Sequence, residues 1–199
     1  MTTLGSTLVG LPIGFLCSLA AWWFLFHVMT PHIEFSSKII RVNINGALRY
    51  RIKFKNSGRR NIIDVSMDIR MYVKGFYKEY LNDQKVIMLK LGISHWPILN
   101  AQQMKMTIIV SPNKDRLQSD IFPQDIPSQI GDKIQENCLG LEDLLQLSAE
   151  SKFQVVAFAY DSFSGTRKAF ASKEYKMGDI VNGNFCSNSL EIDDNTTEC

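Results

Sequence analysis

Residues 62–74 read IIDVSMDIRMYVK, and from Ile63 onward apolar and polar side chains trade places at almost every step. Ile63, Val65, Met67, Ile69, Met71 and Val73 form one set, and Asp64, Ser66, Asp68, Arg70 and Lys74 form most of the other. Side chains of an extended chain alternate between two faces, so this run predicts a long strand with one buried and one wet face. The same period begins earlier. Ile40, Val42 and Ile44 alternate with Arg41, Asn43 and Asn45, and Leu48, Tyr50, Ile52 and Phe54 follow Asn45-Gly46. Asn-Gly between two alternating runs signals a hairpin. A two-residue loop would set Val42 opposite the basic Arg49. A three-residue loop, Asn45 to Ala47, sets Ile44 against Leu48 and Val42 against Tyr50. Matching the apolar faces therefore predicts the three-residue loop with a bulge.

Further strands are predicted at Val86 to Leu91, Met104 to Val110, Phe153 to Tyr160 and Arg167 to Tyr175; FQVVAFAY is apolar on almost both faces and reads as central. Turn signals separate the runs: NSG, SPN, the DSFSG of Asp161 to Gly165, and NGN near residue 183. Only LGLEDLLQLSAE, residues 139–150, reads as a helix. Many short strands with one short helix predict an all-β fold, an antiparallel β-sandwich over residues 31–187. Its expected core is Ile52, Phe54, Ile63, Val65, Met67, Ile69, Val155 and Phe170. Pro112 to Asn137 reads as an irregular polar insertion, and residues 188–199, ending EIDDNTTEC, as a disordered acidic tail.

The first 30 residues are different. LVGLPIGFLCSLAAWWFLFHVM, residues 8–29, carries no acid, Lys or Arg, and the first charged side chain is Glu34. As a helix of ~1.5 Å rise it spans about 33 Å, enough to cross a hydrocarbon core of roughly 30 Å. A secretory signal would need a basic start and a small-x-small cleavage site. MTTLGST has no charged side chain and SLAAWWFLF runs on into bulky residues, so an uncleaved transmembrane anchor over residues 1–30 is predicted. Lys38 and Arg41 flank only the C-terminal side, which places the N-terminus outside and the following domain in the cytoplasm of a single-pass cell-membrane protein. Cys17, Cys138, Cys186 and Cys199 form no CxxC pair, in keeping with a reducing compartment. Reversed topology would make the chain an extracytoplasmic structural protein, and the missing N-terminal charges do not favour that.

A net charge of +2 implies no nucleic-acid partner. No GxSxG, HExxH, phosphate-cradling glycine loop or paired Cys/His ligand set is present, so no catalytic residue, metal ligand or cofactor is predicted. His95, beside Trp96 and Pro97, reads as a loop or core residue. Asp161, Ser162 and Ser164 have the chemistry of a tight turn.

The order of an apolar helix followed by PHIEFSSKIIRVNINGALRYRIKFKNSGRRNIIDVSMDIRMYV resembles the passage from the last membrane helix into the cytoplasmic domain of inward-rectifier potassium channels. Phe35 and Ser36 after the helix, the Asn45-Gly46 turn, a basic strand ending in a Gly/Arg loop and the strand bearing Arg70 carry the resemblance. Tyr175, Asp179, Ile180, Gly183 and Phe185 resemble that domain's final hairpin. The resemblance implies an immunoglobulin-like sandwich. One membrane helix and no TVGYG-like filter exclude that family's potassium conduction. TPHIE stands where the family's phosphoinositide-binding basic cluster would be, so that site has no counterpart here.

The chain's own candidate site is the stripe RYRIKFKNSGRR. Tyr50, Ile52 and Phe54 take one face, leaving Arg49, Arg51, Lys53 and Lys55 on the other, with Arg59 and Arg60 in the next loop. Charges two apart on a strand lie about 7 Å from each other, inside a Debye length of ~8–10 Å, and need neutralising. If the loop folds back as a hairpin, Asp64 and Asp68 are available; if it crosses to another sheet, the stripe faces solvent or an anionic partner. Two readings of function follow. One is a membrane-tethered, non-enzymatic sensor or adaptor that binds a protein, a membrane lipid headgroup or a small anion, as a homo-oligomer or alone. The other is an effector whose copies associate through the N-terminal helix to form or gate a pore. Gly10 and Gly14 form a small-xxx-small pair that permits close helix approach.

Overall fold

A computed structural model describes residues 3–25, 29–44, 47–74, 84–110, 131, 133, 139–147 and 150–193. Most of the predicted insertion, Cys138, Cys199 and the tail beyond residue 193 lie outside the described residues. The chain opens with helix α1 (Thr3–Trp23), followed by β1 (Ile33–Phe35), β2 (Ile39–Ile44), β3 (Ala47–Asn56), β4 (Ile62–Lys74), β5 (Gln84–Leu91), β6 (His95–Leu99) and β7 (Met104–Val110). After the short helix α2 (Leu141–Leu145) come β8 (Lys152–Asp161), β9 (Arg167–Ala171), a 3-10 turn at Met177–Asp179, β10 (Ile180–Asn182), β11 (Asn184–Phe185) and β12 (Ile192–Asp193).

The protein is mostly β, built as one curled sheet of order β10-β2-β3-β7-β5-β4-β8-β9, with β1 added on β3 and β6 on β4. β5 makes the curl: residues 84–89 pair with β4, whereas Lys90 and Leu91 pair with Val110 and Ile109 of β7. Every pairing in the sheet is antiparallel except β10 with β2, where Ile180 to Asn182 run parallel to Ile39 to Arg41. The curl brings Phe54 of β3 edge-on to Trp96 of β6, ring centroids 4.9 Å apart. Tyr50, Ile52 and Phe54 share one core with Val65, Met67, Ile69, Met71, Leu99, Ile109, Phe153 and Val155. Of the expected core, Phe170 is only partly buried against this cluster.

Two registers differ from expectation. Ile44 pairs with Ala47, Val42 with Arg49 and Arg41 with Tyr50, so the β2–β3 loop has two residues, not three. The longer loop was inferred on the premise that the outer face of β2 and β3 is wet. It is covered, and Ile39 and Ile40, on opposite faces of β2, are both fully buried. In β4 the alternation holds from Val65 to Val73, but Ile63 is exposed and Ile62 takes its place inside. The register with β8 shifts between Ile63 and Ser66, and Asp64 there sits at φ 53°. A bulge adds one residue to one strand and inverts the faces before it; Asp tolerates the left-handed region better than most residues.

β6 and β1 were not anticipated, and the helix expected over 139–150 is cut to Leu141–Leu145. Residues 188–193, expected to be disordered, include β12, which pairs with β11.

The described part of α1 turns Ile13, Phe15, Leu16, Leu19, Trp22 and Trp23 outward, and Phe15 is 66% exposed. Among the described residues no helix is long and apolar enough to cross a membrane, so the crossing expected over residues 8–29 is not found there.

Candidate functional site

The β3–β4 loop does cross between the two parts of the sheet. β3 pairs with β1, β2 and β7, and β4 pairs with β5, β6 and β8, so Asp64 and Asp68 cannot lie beside the basic stripe as cross-strand partners. Asp64 instead receives His95, Nε2 to Oδ1 2.7 Å, a pair exposed on β4 and β6.

What covers the middle of the stripe, at Arg51 and Lys53, is the chain's own C-terminal strap, residues 184–189. Alternation along β3 puts Arg49, Arg51, Lys53 and Lys55 on the outer face, as the sequence requires. There Lys53 is buried, and its ammonium donates to three main-chain carbonyls, Cys186 at 2.6 Å, Ser187 at 3.0 Å and Ser189 at 2.8 Å. An ammonium has three donors, so this one is saturated. Burial pulls its pKa below the usual lysine value. The strap is held to the sheet by these bonds and shaped by its own hairpin, in which Cys186 N donates to Glu191 O at 3.0 Å.

Between strap and sheet lies a cavity of about 310 Å3. Its floor is the outer face of β2, β3 and β7, with Ile40, Arg51, Lys53, Met104 and Met106, and Phe185 stands in the roof. Among the described residues no Asp or Glu lines it. Arg51 is half-buried, and its Nε is fully buried with no hydrogen-bond partner among the described residues.

The remaining stripe residues are scattered. Arg49 is half-buried opposite Val42, and Lys55 is half-buried between Glu34 of β1 and Met104 of β7. Arg59 is exposed. Arg60 is buried on another side of the molecule, its Nη1 3.3 Å from Asp161 Oδ2 and its Nη2 donating to Leu25 O at 2.7 Å, just past α1. Its guanidinium also lies 4.2 Å from the Phe163 ring centroid. Burial would raise the Asp161 pKa, but the Phe163 N–H, the Ser164 hydroxyl and Arg60 together hold it below the usual carboxylate value. The DSFSG turn is thus a tight turn, as read, and also the counter-charge for Arg60. Gly10 lies in α1, and Gly14 has nothing within 4 Å of where a Cβ would stand.

Two buried tyrosines fasten other parts of the fold from the core side. Tyr50 donates to the Glu142 carboxylate and receives Leu141 N at 2.9 Å, while Arg41 joins Glu142 at 3.1 Å. Burial, with the Glu142 carboxylate beside it, pushes the Tyr50 phenol far up. Tyr175 donates to Ser36 O at 2.5 Å and stacks on Phe153. A phenol held neutral by burial serves here as a fixed donor. Among the described residues no group of three or more His, Cys, Asp or Glu is placed to hold a metal.

The chain matches no protein-family model and no curated protein.

Proposed function

We propose that this chain is a single-pass, membrane-anchored, non-enzymatic binding module. In this reading the apolar run of residues 8–29, which α1 enters, is the anchor with its N-terminus outside, and the curled sheet is an immunoglobulin-like sandwich on the cytoplasmic side that receives a ligand or partner. One observation carries it. α1 presents a surface of large apolar side chains that no described part of the protein covers, yet the chain just past it is fastened to the β core by a buried arginine. Exposed apolar surface of that kind marks a membrane or protein contact. The Arg60–Leu25 bond and the close seat of Gly58 on Thr30, Pro31 and His32 tie that contact to the sheet.

Carbonate extraction of membranes tests the anchor. The full chain should stay in the pellet, and Phe15→Lys with Leu16→Lys should release it, since a lysine near the centre of a membrane helix costs about 2.5–3.5 kcal/mol. Wild-type chain in the supernatant would end this reading. A second reading, association through α1 as a pore or gate, is favoured by the open flank at Gly14. A defined oligomer on cross-linking in detergent, lost in Gly14→Leu, supports it; a monomer leaves the tether alone.

A further inference from the structure

We propose that the cavity under the C-terminal strap binds a small organic anion through Arg51. The site deepens the reading of the β unit as a binding module and rests on it.

The charge count comes first. Arg51 and Lys53 are neighbours on the outer face of β3, Lys105 also lines the cavity, and among the described residues no Asp or Glu does. Lys53 is surrounded by the carbonyls of Cys186, Ser187 and Ser189, which are neutral dipoles. They orient the ammonium without cancelling it. Its donors are all engaged, so Lys53 supplies a standing positive field rather than a further hydrogen bond.

Arg51 supplies the directed donor. A guanidinium stays charged at any accessible pH, so burial cannot be relieved by losing the proton. Buried polar groups in folded proteins almost always find a partner, so an unpartnered buried donor calls for an explanation. The Nε of Arg51 has no partner among the described residues, and Arg51 lines the cavity. Arg presents its N–H groups as a fork matched to the oxygens of a carboxylate or phosphate.

The walls define the rest of the ligand. Ile40, Met104, Met106 and Phe185 are apolar, and methionine adapts to irregular shapes. The volume of about 310 Å3 stands at the lower end of ligand pockets, roughly 300–1,000 Å3. The chemistry that fits is a carboxylate or phosphate monoester on a compact apolar body. A carboxylate has two sources: a free solute, or the acidic residues Asp194 and Glu198 that follow β12 in sequence.

Thermal shift and calorimetry on the purified full chain in detergent test the site, with phenyl phosphate and benzoate as probes, inorganic phosphate as the headgroup alone and benzyl alcohol as the neutral control. Both aromatic anions should bind more tightly than inorganic phosphate, and benzyl alcohol should give no shift. Arg51→Met should weaken phenyl phosphate at least tenfold, and Arg51→Lys, which keeps charge but not the fork, several-fold. Deleting residues 194–199 separates the sources. Tighter binding after deletion names the tail as the resident carboxylate, and unchanged binding names a free solute. Equal binding by wild type and Arg51→Met, or no response from wild type and the shortened chain, overturns the site. Membrane partition scored on the same preparations keeps this result distinct from failure of the anchor.

Discussion

Lys53 and Arg60 are seven positions apart in sequence and almost equally buried, at 7% and 8% exposure, yet their surroundings are opposites. Arg60 meets a carboxylate, a ring face and the carbonyl just past a helix; positive and negative charge cancel within one loop and one turn. Among the described residues the Lys53 ammonium donates to carbonyls alone, beside a second cation whose Nε has no partner there. A buried charge whose counter-charge is built in does structural work, because removing either half strands the other. A buried charge without one leaves a field that a ligand can answer. The stripe that looked uniform in sequence therefore divides into a joint, at Arg60, and a receptive surface, at Arg51 and Lys53.

The largest effect that tests this contrast is at the joint. Asp161→Asn should cost about 3–5 kcal/mol by stranding the Arg60 guanidinium, measured as the denaturant midpoint of the full chain in detergent. A loss below about 1 kcal/mol would erase the distinction between the two regions. The strap comes next. Lys53→Met removes three charge-assisted bonds to carbonyls but also a desolvated charge, so the net cost should be smaller, about 1–3 kcal/mol. Its distinguishing mark is local: amide hydrogen exchange should rise over residues 184–193 and stay unchanged at β4. Uniform acceleration across both would show that the strap is no separate unit.

Acid gives the mildest test. Asp161 and Asp179 have folded pKa values held below the unfolded carboxylate value of 3.8, so each binds protons more readily when unfolded. Their contribution is complete above that value and is lost as pH falls through the depressed folded one. Stability should drop below about pH 4, and Asp161→Asn should flatten the drop. The Lys53 clamp, made to carbonyls that do not titrate, should show no matching loss of protection at the strap.

Much of the sheet was legible because period-two alternation is a local property. β3, β4, β7 and most of β5 and β8 follow from it, whereas the sequence leaves open whether the β3–β4 loop folds back or crosses. The errors have two causes. Pairing Val42 with Tyr50 assumed that an outer face is wet, but the strap buries that face, so Ile40 and Arg51 can be neighbours there. Nothing in NGNFCSNS announces which strand it will cover. Ile63 was placed inside because alternation was extended through Asp64, and a bulge is invisible to a pattern that assumes constant register. The stripe looked like one group in sequence, but the fold scatters it; that Arg60 would leave it for Asp161, 101 positions away, depends on tertiary placement.

The parallel pairing of β10 with β2 has a consequence for how the molecule is made. Arg41 and Asn182, joined side chain to side chain in that pair, are 141 positions apart. Ribosomes add roughly 5–20 residues per second, so β2 emerges about 7–28 s before the strand that will lie beside it. Through that interval one side of the nascent sheet presents unpaired N–H and C=O groups, the feature by which strands recruit foreign strands. Closure must wait for the last part of the chain. A ribosome stalled before residue 180 would hold an open-edged intermediate, and premature termination there should yield aggregates rather than a smaller folded protein.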